Sequence, residues 1–455
     1  MKIAIIGGGP GGYVAAIRAA QLGAEVVLIE ADKLGGTCLN VGCIPTKALL
    51  HTAELYHQAS HGAEYGIKAD VTLDFPKAME NKAKIVSKLV SGVTGLMKAN
   101  NVKVINGKAA FADSGTLEIT GPGGQQQLKA DKFIIASGSV SVMPPIPGLS
   151  VPRCMDSSGA LSLTAIPKSM VIIGGGVIGV EMATVYSTMG CKVTIVEMLD
   201  SILPNMDREL SKMLHESLLK KGVDIYTSSK LTSIEKDIHI QTPNGNLALD
   251  GEKVLISVGR KPSIAGLALE KAGVKTAEGR IVTNNKQETN VPNIYAIGDC
   301  TGGIMLAHIA SVHGEVAAEN ACGHAAAYDG RTNPSCVYTT PEFASVGISE
   351  EEAKAQNIDY VVGRFPLAAN GKSMIMNSSG IIKIIAGKKY GEVLGVHMLA
   401  PRATDLITEG ALAIRLEATV DELIDTIHAH PTVGEAVREA ALQVYKRALH
   451  IPNKA

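Results

Sequence analysis

Cys38 and Cys43 stand five positions apart in 35-GGTCLNVGCIPTK-47, a spacing open to three kinds of chemistry. A zinc clip needs about four ligands, and no second close Cys/Cys or Cys/His pair lies nearby. A structural staple from Cys38 to Cys43 would close a six-residue loop. So short a loop constrains little chain entropy, and a reducing cytosol would open the bond. A redox-active pair is the remaining reading, with Lys47 and a helix N-terminus expected near Pro45 both helping to hold a thiolate. The Cys-x4-Cys spacing does not establish it unaided. A second cluster, 428-HAHPTVGE-435, places His430 five residues before Glu435, with Pro431 setting the turn. That arrangement can orient an imidazole and stabilise its charge, as a general base requires. His428 lacks that partner and is the lesser candidate.

The elements that position these residues are duplicated. The segment 3-IAIIGGGPGGYVAAIRAAQLGAEVVLIE-30 aligns without gaps to 170-MVIIGGGVIGVEMATVYSTMGCKVTIVE-197, at a constant offset of 167 (170 minus 3). Each copy reads strand, glycine turn, helix, strand, and each ends on an acid, Glu30 or Glu197. This is the dinucleotide-binding βαβ pattern. Gly7 and Gly174 permit the tight turn, Gly9 and Gly176 let backbone amides approach a pyrophosphate, and Gly12 and Gly179 allow close helix packing. Glu30 and Glu197 can accept hydrogen bonds from ribose hydroxyls, and a carboxylate at 197 repels a 2′-phosphate, so NAD is expected there rather than NADP.

Proline and glycine punctuate the rest. The stretch 142-VMPPIPG-148 reads as a linker, and the pattern breaks again near 259-GRKP-262. Strand and turn are expected in 291-VPNIYAIGDCTGG-303, then a helical run to about residue 328. Beyond 334, strands at 381-IIKII-385 and 393-VLGVHML-399 mix with helices at 404–418 and 434–449. Four units result, 1–145, 146–264, 265–333 and 334–455, with the second nucleotide unit inserted into the first. The fold class is α/β.

Composition excludes several functions. Lys and Arg number 43 against 44 Asp and Glu, so nothing favours nucleic acid. No apolar run approaches the roughly 18–20 residues that span a bilayer, so no membrane role is expected. The opening MKIAIIGGG has no long apolar core or cleavage site of a secretory signal, which predicts a cytoplasmic protein. Seven scattered cysteines among 455 residues do not form a secreted disulfide scaffold.

With GGGPGG (7–12), the cysteine motif, ASGS (136–139), GGGVIGVE (174–181), YAIGDC (295–300) and HAHPTVGE (428–435) in this order, nearly the whole chain resembles the pyridine nucleotide-disulfide oxidoreductases, in particular the branch that oxidises dihydrolipoyl groups. The resemblance implies two Rossmann-like domains, for FAD (1–145) and NAD (146–264), a central domain completing the FAD site (265–333) and a C-terminal α+β dimerisation domain (334–455). It implies that Glu30 and Asp299 hold the FAD adenosine ribose and ribityl chain, that Cys43 faces the flavin and that Cys38 is the interchange thiol. Lys47 and Glu181 would form an ion pair beside the flavin. Ser137, Gly138, Gly259 and Ala307 would join the cofactor contacts, and no metal is implied. His430 and Glu435 would act across a homodimer, and the substrate would be a lipoyl group on a separate protein of a 2-oxo acid dehydrogenase, acetoin dehydrogenase or glycine cleavage complex. No lipoyl-bearing domain is expected ahead of the first strand.

Rival members fit less well. A glutathione reductase would want basic residues near 197, where 197-EMLDS-201 offers acids. A mercuric reductase would want vicinal cysteines near its C-terminus, where this chain reads RALHIPNKA. A soluble transhydrogenase would lack the cysteine pair, and a non-catalytic flavin-binding assembly subunit would need neither the cysteines nor His430 and Glu435. The chain departs from the usual family pattern in 306-LAHIASVHGE-315, with Ile309 in place of Lys and His313 in place of Glu. That departure is expected to tune the flavin potential or the sensitivity to NADH.

Overall fold

A computed structural model of the chain describes residues 1–453. The two aligned segments fold alike. Strands Lys2–Ile6 and Glu25–Glu30 flank the helix Pro10–Gln21, and Ser169–Ile173 and Lys192–Val196 flank Val177–Thr188. Each pair seeds a five-stranded parallel sheet, the first in the order 294–296, 132–135, 2–6, 25–30, 103–106 and the second 224–226, 192–196, 169–173, 253–256, 154–155. Their central strands are continuous β-branched and aliphatic runs because both faces are covered, one by helices and the other by antiparallel strands. Ile3, Ile5, Met170 and Ile172 are fully buried.

The duplication is larger than the aligned repeat. Each unit also carries a three-stranded antiparallel meander, Lys108–Asp113, Thr116–Gly121 and Gly124–Lys129 in the first and Lys230–Ile234, Ile238–Thr242 and Gly245–Leu249 in the second. The last strand of the first sheet, Ile294–Ala296, arrives from beyond the whole second unit. The expected breaks at the two linkers are one structure. Arg260–Pro262 pairs antiparallel with Ser139–Ser141, because the outgoing and returning chain cross between units side by side.

Two helices end earlier than expected. The helix after the Gly-Asp turn runs Ala307–Ala321, not to 328, because Gly323 at φ +91 turns the chain away. The last helix is Glu435–Val444, not 434–449, and Lys446 lies at φ +57 just beyond it. No helix among the described residues is long and apolar enough to cross a membrane.

The C-terminal unit is a five-stranded antiparallel sheet in the order 335–337, 342–347, 393–400, 381–387, 360–366. Strand Ile381–Gly387 is buried at all seven positions. Helices 403–415 and 435–444 pack on the sheet, and helix Arg208–Lys220 of the second nucleotide unit also reaches strand 393–400. Lys383, mid-strand and 1% exposed, is therefore trapped between units. Its Nζ lies 2.8 Å from Asp207, 3.0 Å from Glu209 and 2.8 Å from Glu350. Asp207 is fully buried and caps the helix 208–220 by accepting from the Leu210 N–H. Removing one partner of such a cluster strands a buried charge, which costs about 3–5 kcal/mol. Lys383→Met is accordingly expected to lower unfolding stability by that amount, read from the denaturation midpoint at unchanged slope.

Candidate active site

The cysteine motif folds as two helices broken by one glycine, Gly36–Val41 and then Cys43–Ser60. The break falls at Gly42 because a Cβ there would lie 2.8 Å from the Thr37 carbonyl oxygen. Cys43 is thus the first residue of an 18-residue helix, two positions ahead of Pro45. Partial positive charge at a helix N-terminus favours a thiolate. Cys38 and Cys43 are both half-buried free thiols, and each perturbs the ionisation of the other. The neighbouring Cys38 and the charge of Lys47 draw Cys43 down to about 7, while the neighbouring Cys43 and burial push Cys38 above the ordinary thiol range. The pair is asymmetric in its setting: Cys43, at the helix N-terminus beside Lys47, is the sulfur placed to carry negative charge.

Lys47 follows Cys43 by one turn of the same helix face. Its Nζ donates to both oxygens of Glu181, at 2.9 and 2.8 Å, as the resemblance implied. Glu181 lies on the helix Val177–Thr188 and is 3% exposed, so this pair ties the second glycine-loop helix to the cysteine helix. The Tyr338 backbone N–H also donates to Glu181, at 3.0 Å, and the Lys47 ammonium stands 4.4 Å from the Tyr338 ring centroid. Tyr338 left no signal in the sequence, since it arrives from the C-terminal sheet.

One cavity of about 2010 Å³ joins these groups to both glycine loops. Gly7, Gly9, Glu30, Cys38, Cys43, Lys47, Ser137, Gly138, Gly174, Gly176, Glu181, Glu197, Gly259, Asp299 and Ala307 line it, whereas Gly12 and Gly179 sit behind the loops. Gly7 and Gly174 take φ of +102 and +109, and a Cβ at Gly12 or Gly179 would strike the Gly7 or Gly174 carbonyl oxygen at 1.8 or 2.0 Å. Glu30 and Glu197 do more than the motif suggests. Glu30 accepts from the Gly8 and Asp32 N–H groups at 2.6 and 2.8 Å, and Glu197 from Gly175 and Leu199 at 2.6 and 2.7 Å. Each acid therefore braces its own glycine loop. Asp299 accepts from the Ser139 hydroxyl at 2.5 Å, and Ser139 in turn accepts from Arg260 Nε at 2.7 Å, so the inter-unit ribbon orients the carboxylate.

His430 and Glu435 do not line that cavity. His430 Nδ1 is 2.9 Å from Glu435 Oε1, and its side chain is 80% exposed. A carboxylate only accepts, so Nδ1 carries the hydrogen and the Nε2 lone pair is left free as a base. Burial works to raise the Glu435 pKa, but the Thr432 N–H at 2.8 Å and His430 hold it below the usual carboxylate range.

His428 is not without a partner, contrary to the sequence expectation. Its Nε2 lies 2.9 Å from Glu409 Oε1 and its Nδ1 3.0 Å from the Thr426 carbonyl oxygen. Glu409 belongs to the helix 403–415, which only the fold brings alongside. With acceptors at both ring nitrogens the cation is favoured, and the bond to Glu409 raises the His428 pKa. A raised folded value means stability that is complete below the ordinary imidazole value of about 6.5 and lost as pH rises through the folded value. Glu409→Gln should therefore lower the melting temperature most near about pH 6 and least near about pH 9, in paired thermal melts.

Two nucleotide-binding folds that meet at a charged thiol pair define a disulfide oxidoreductase built around two dinucleotides. Residues 1–314 match the family described as pyridine nucleotide-disulphide oxidoreductase, and residues 333–441 match its dimerisation domain. Dihydrolipoyl dehydrogenase of Geobacillus stearothermophilus is 43% identical over 458 residues, covering 99% of this chain and 97% of that protein. Leghemoglobin reductase of Vigna unguiculata is 42% identical, covering 98% and 88%. Among solved structures, LpdA of Mycobacterium tuberculosis superposes with a TM-score of 0.90 at 26% identity, covering 98% of this chain and 99% of that one. The HOCl-induced flavoprotein disulfide reductase RclA of Escherichia coli, as its Cu(II) complex, gives 0.87 at 31% identity, covering 97% and 98%. The chain belongs to the pyridine nucleotide-disulphide oxidoreductase family, whose members work with FAD and a pyridine nucleotide.

The residues present fit those groups. The helices 10–21 and 177–188 begin with no side-chain cap, and their N-terminal turns line the cavity. Nothing lies within 3.9 Å of a Cβ built at Gly9, or within 4 Å of one at Gly176. Ser137 Oγ is buried beside the cavity with no protein partner. Bare amides and an orphaned hydroxyl suit a dinucleotide's phosphates and hydroxyls.

Proposed function

We propose that the protein oxidises dihydrolipoyl groups carried on partner proteins and reduces NAD+. The asymmetric thiol pair, with Cys43 at a helix N-terminus one turn from Lys47, carries this reading, and the full-length likeness to dihydrolipoyl dehydrogenases supports it. In the oxidised enzyme Cys38 and Cys43 share a disulfide. His430 of the partner subunit takes the proton of one substrate thiol, and the thiolate attacks Cys38 Sγ. A substrate–Cys38 bond forms, the Cys38–Cys43 bond breaks, and its electron pair stays on Cys43 as thiolate. The second substrate thiol then attacks the first substrate sulfur, closing the lipoyl disulfide and leaving Cys38 with the proton. FAD in the first cradle supplies a two-electron acceptor between the Cys43 thiolate and NAD+ in the second. Glu435 holds the imidazole tautomer, and Lys47 with Glu181 keeps positive charge beside Cys43 balanced.

The reading makes the working unit a homodimer, because the His430–Glu435 pair lies off the cavity of its own chain. It places the enzyme in the cytoplasm, serving a 2-oxo acid dehydrogenase, acetoin dehydrogenase or glycine cleavage complex. NAD is favoured over NADP because Glu197 stands at the end of the second nucleotide fold. NADH formation from dihydrolipoamide and NAD+ tests the assignment. Glutathione disulfide reduction by NADPH with no dihydrolipoamide turnover would reject it, and co-purification with a lipoylated protein would identify the complex.

A further inference from the structure

The helix Ala307–Ala321 braces both ends of the first cradle. Its Gly314 packs so tightly on the helix 10–21 that a Cβ would stand 2.4 Å from the Gly11 carbonyl oxygen, and its Ala310 fills the space beside Gly298. His313, three residues after Ala310, reaches the same turn. Its Nδ1 accepts from the Gly298 backbone N–H at 3.3 Å. Its ring stands edge to face with Tyr328, centroids 4.4 Å apart at 84°, and its Nε2 is buried with no partner. Gly298 opens the turn Gly298–Thr301 at φ +66, and the next residue is Asp299.

The orphaned nitrogen is informative. With Nδ1 accepting, a neutral ring must carry its hydrogen on Nε2, and a buried N–H without an acceptor is costly. An aliphatic side chain would avoid that cost if the position needed only filling. What the imidazole adds is the Nδ1 acceptor, without which the Gly298 N–H would lose its partner. Burial also pushes the ring's pKa down to about 4, which keeps that lone pair available at neutral pH.

We propose that His313 is a positioning residue for the first cofactor: it fixes the Gly298 N–H, and through it the stance of Asp299 in the cavity. The inference rests on reading that cavity as the FAD site. Asp299 is then held from two sides, by Ser139 with Arg260 on its carboxylate and, through the preceding residue, by the bond from the Gly298 N–H to His313.

Flavin release from the holoenzyme, followed by fluorescence in graded urea beside far-UV circular dichroism, tests the proposal. His313→Asn places an amide oxygen close to the position of Nδ1 and should retain FAD within about twofold of wild type. His313→Leu removes the acceptor and should raise the FAD dissociation constant roughly five- to tenfold, the range of one neutral hydrogen bond. His313→Gln, whose amide reaches towards the Nε2 position, should show the same loss and carries the test if the leucine protein does not fold. Leucine and glutamine variants that hold FAD as tightly as wild type would overturn the inference, as would an asparagine variant as weak as the leucine one. A wild-type protein that takes up no FAD would instead overturn the cofactor reading, and this inference with it.

Discussion

A Cys43→Ser enzyme keeps its yellow flavin and loses dihydrolipoamide turnover by at least about 10⁴-fold, the scale on which nucleophile deletions act. The expectation follows from where Cys43 sits. It is the first residue of the helix 43–60 and one turn from Lys47, and its thiol is drawn down from the ordinary range to about 7. A serine hydroxyl ionises far above that range and forms no disulfide. The long-wavelength absorption of a thiolate beside a flavin should vanish with it. Cys38→Ser should lose the same turnover yet keep the Cys43 thiolate and its absorption, because the helix N-terminus and Lys47 that favour that thiolate are untouched. Retained turnover in the Cys43 variant would sink the thiol-exchange scheme.

His430→Gln should lower kcat/KM for dihydrolipoamide by about 10²–10⁴-fold, the usual contribution of a positioned general base. NADH oxidation with an artificial electron acceptor should be unchanged, since it bypasses the thiol proton. The expectation rests on the exposed imidazole and its Nδ1 bond to Glu435. Thr432, donating from its backbone to the second Glu435 oxygen at 2.8 Å, keeps the carboxylate aimed. Equal losses in both assays would show that the substitution damages the fold rather than the base.

Much of the site was legible because its signals are local. The glycine loops need positive φ at Gly7 and Gly174, and at Gly12 and Gly179 a side chain would strike the carbonyl oxygen five residues earlier, so the pattern is written within each loop. Cys43 and Lys47 share a helix face, and His430 and Glu435 share a turn. The meanders were missed because strands such as 124-GQQQLK-129 lie exposed and carry no alternating apolar pattern. Nothing in IIKII marks Lys383 as buried, yet its ammonium is enclosed because Asp207 and Glu209 of another unit meet it there.

Short-range spacing alone marks the residues of the site: two dinucleotide loops, a thiol pair and an imidazole with its carboxylate, each legible within a dozen residues. Tertiary structure decided what holds them. Lys47 meets Glu181 across 134 positions, Lys383 meets Asp207 across 176, and His428 finds Glu409 from a separate helix. Periodicity reports backbone conformation and the face a residue occupies. Which distant face packs against it depends on the path of the chain, and here that path leaves the first sheet, builds a second, and returns to lay Ile294–Ala296 beside strand 132–135 and the His313 helix against the helix 10–21.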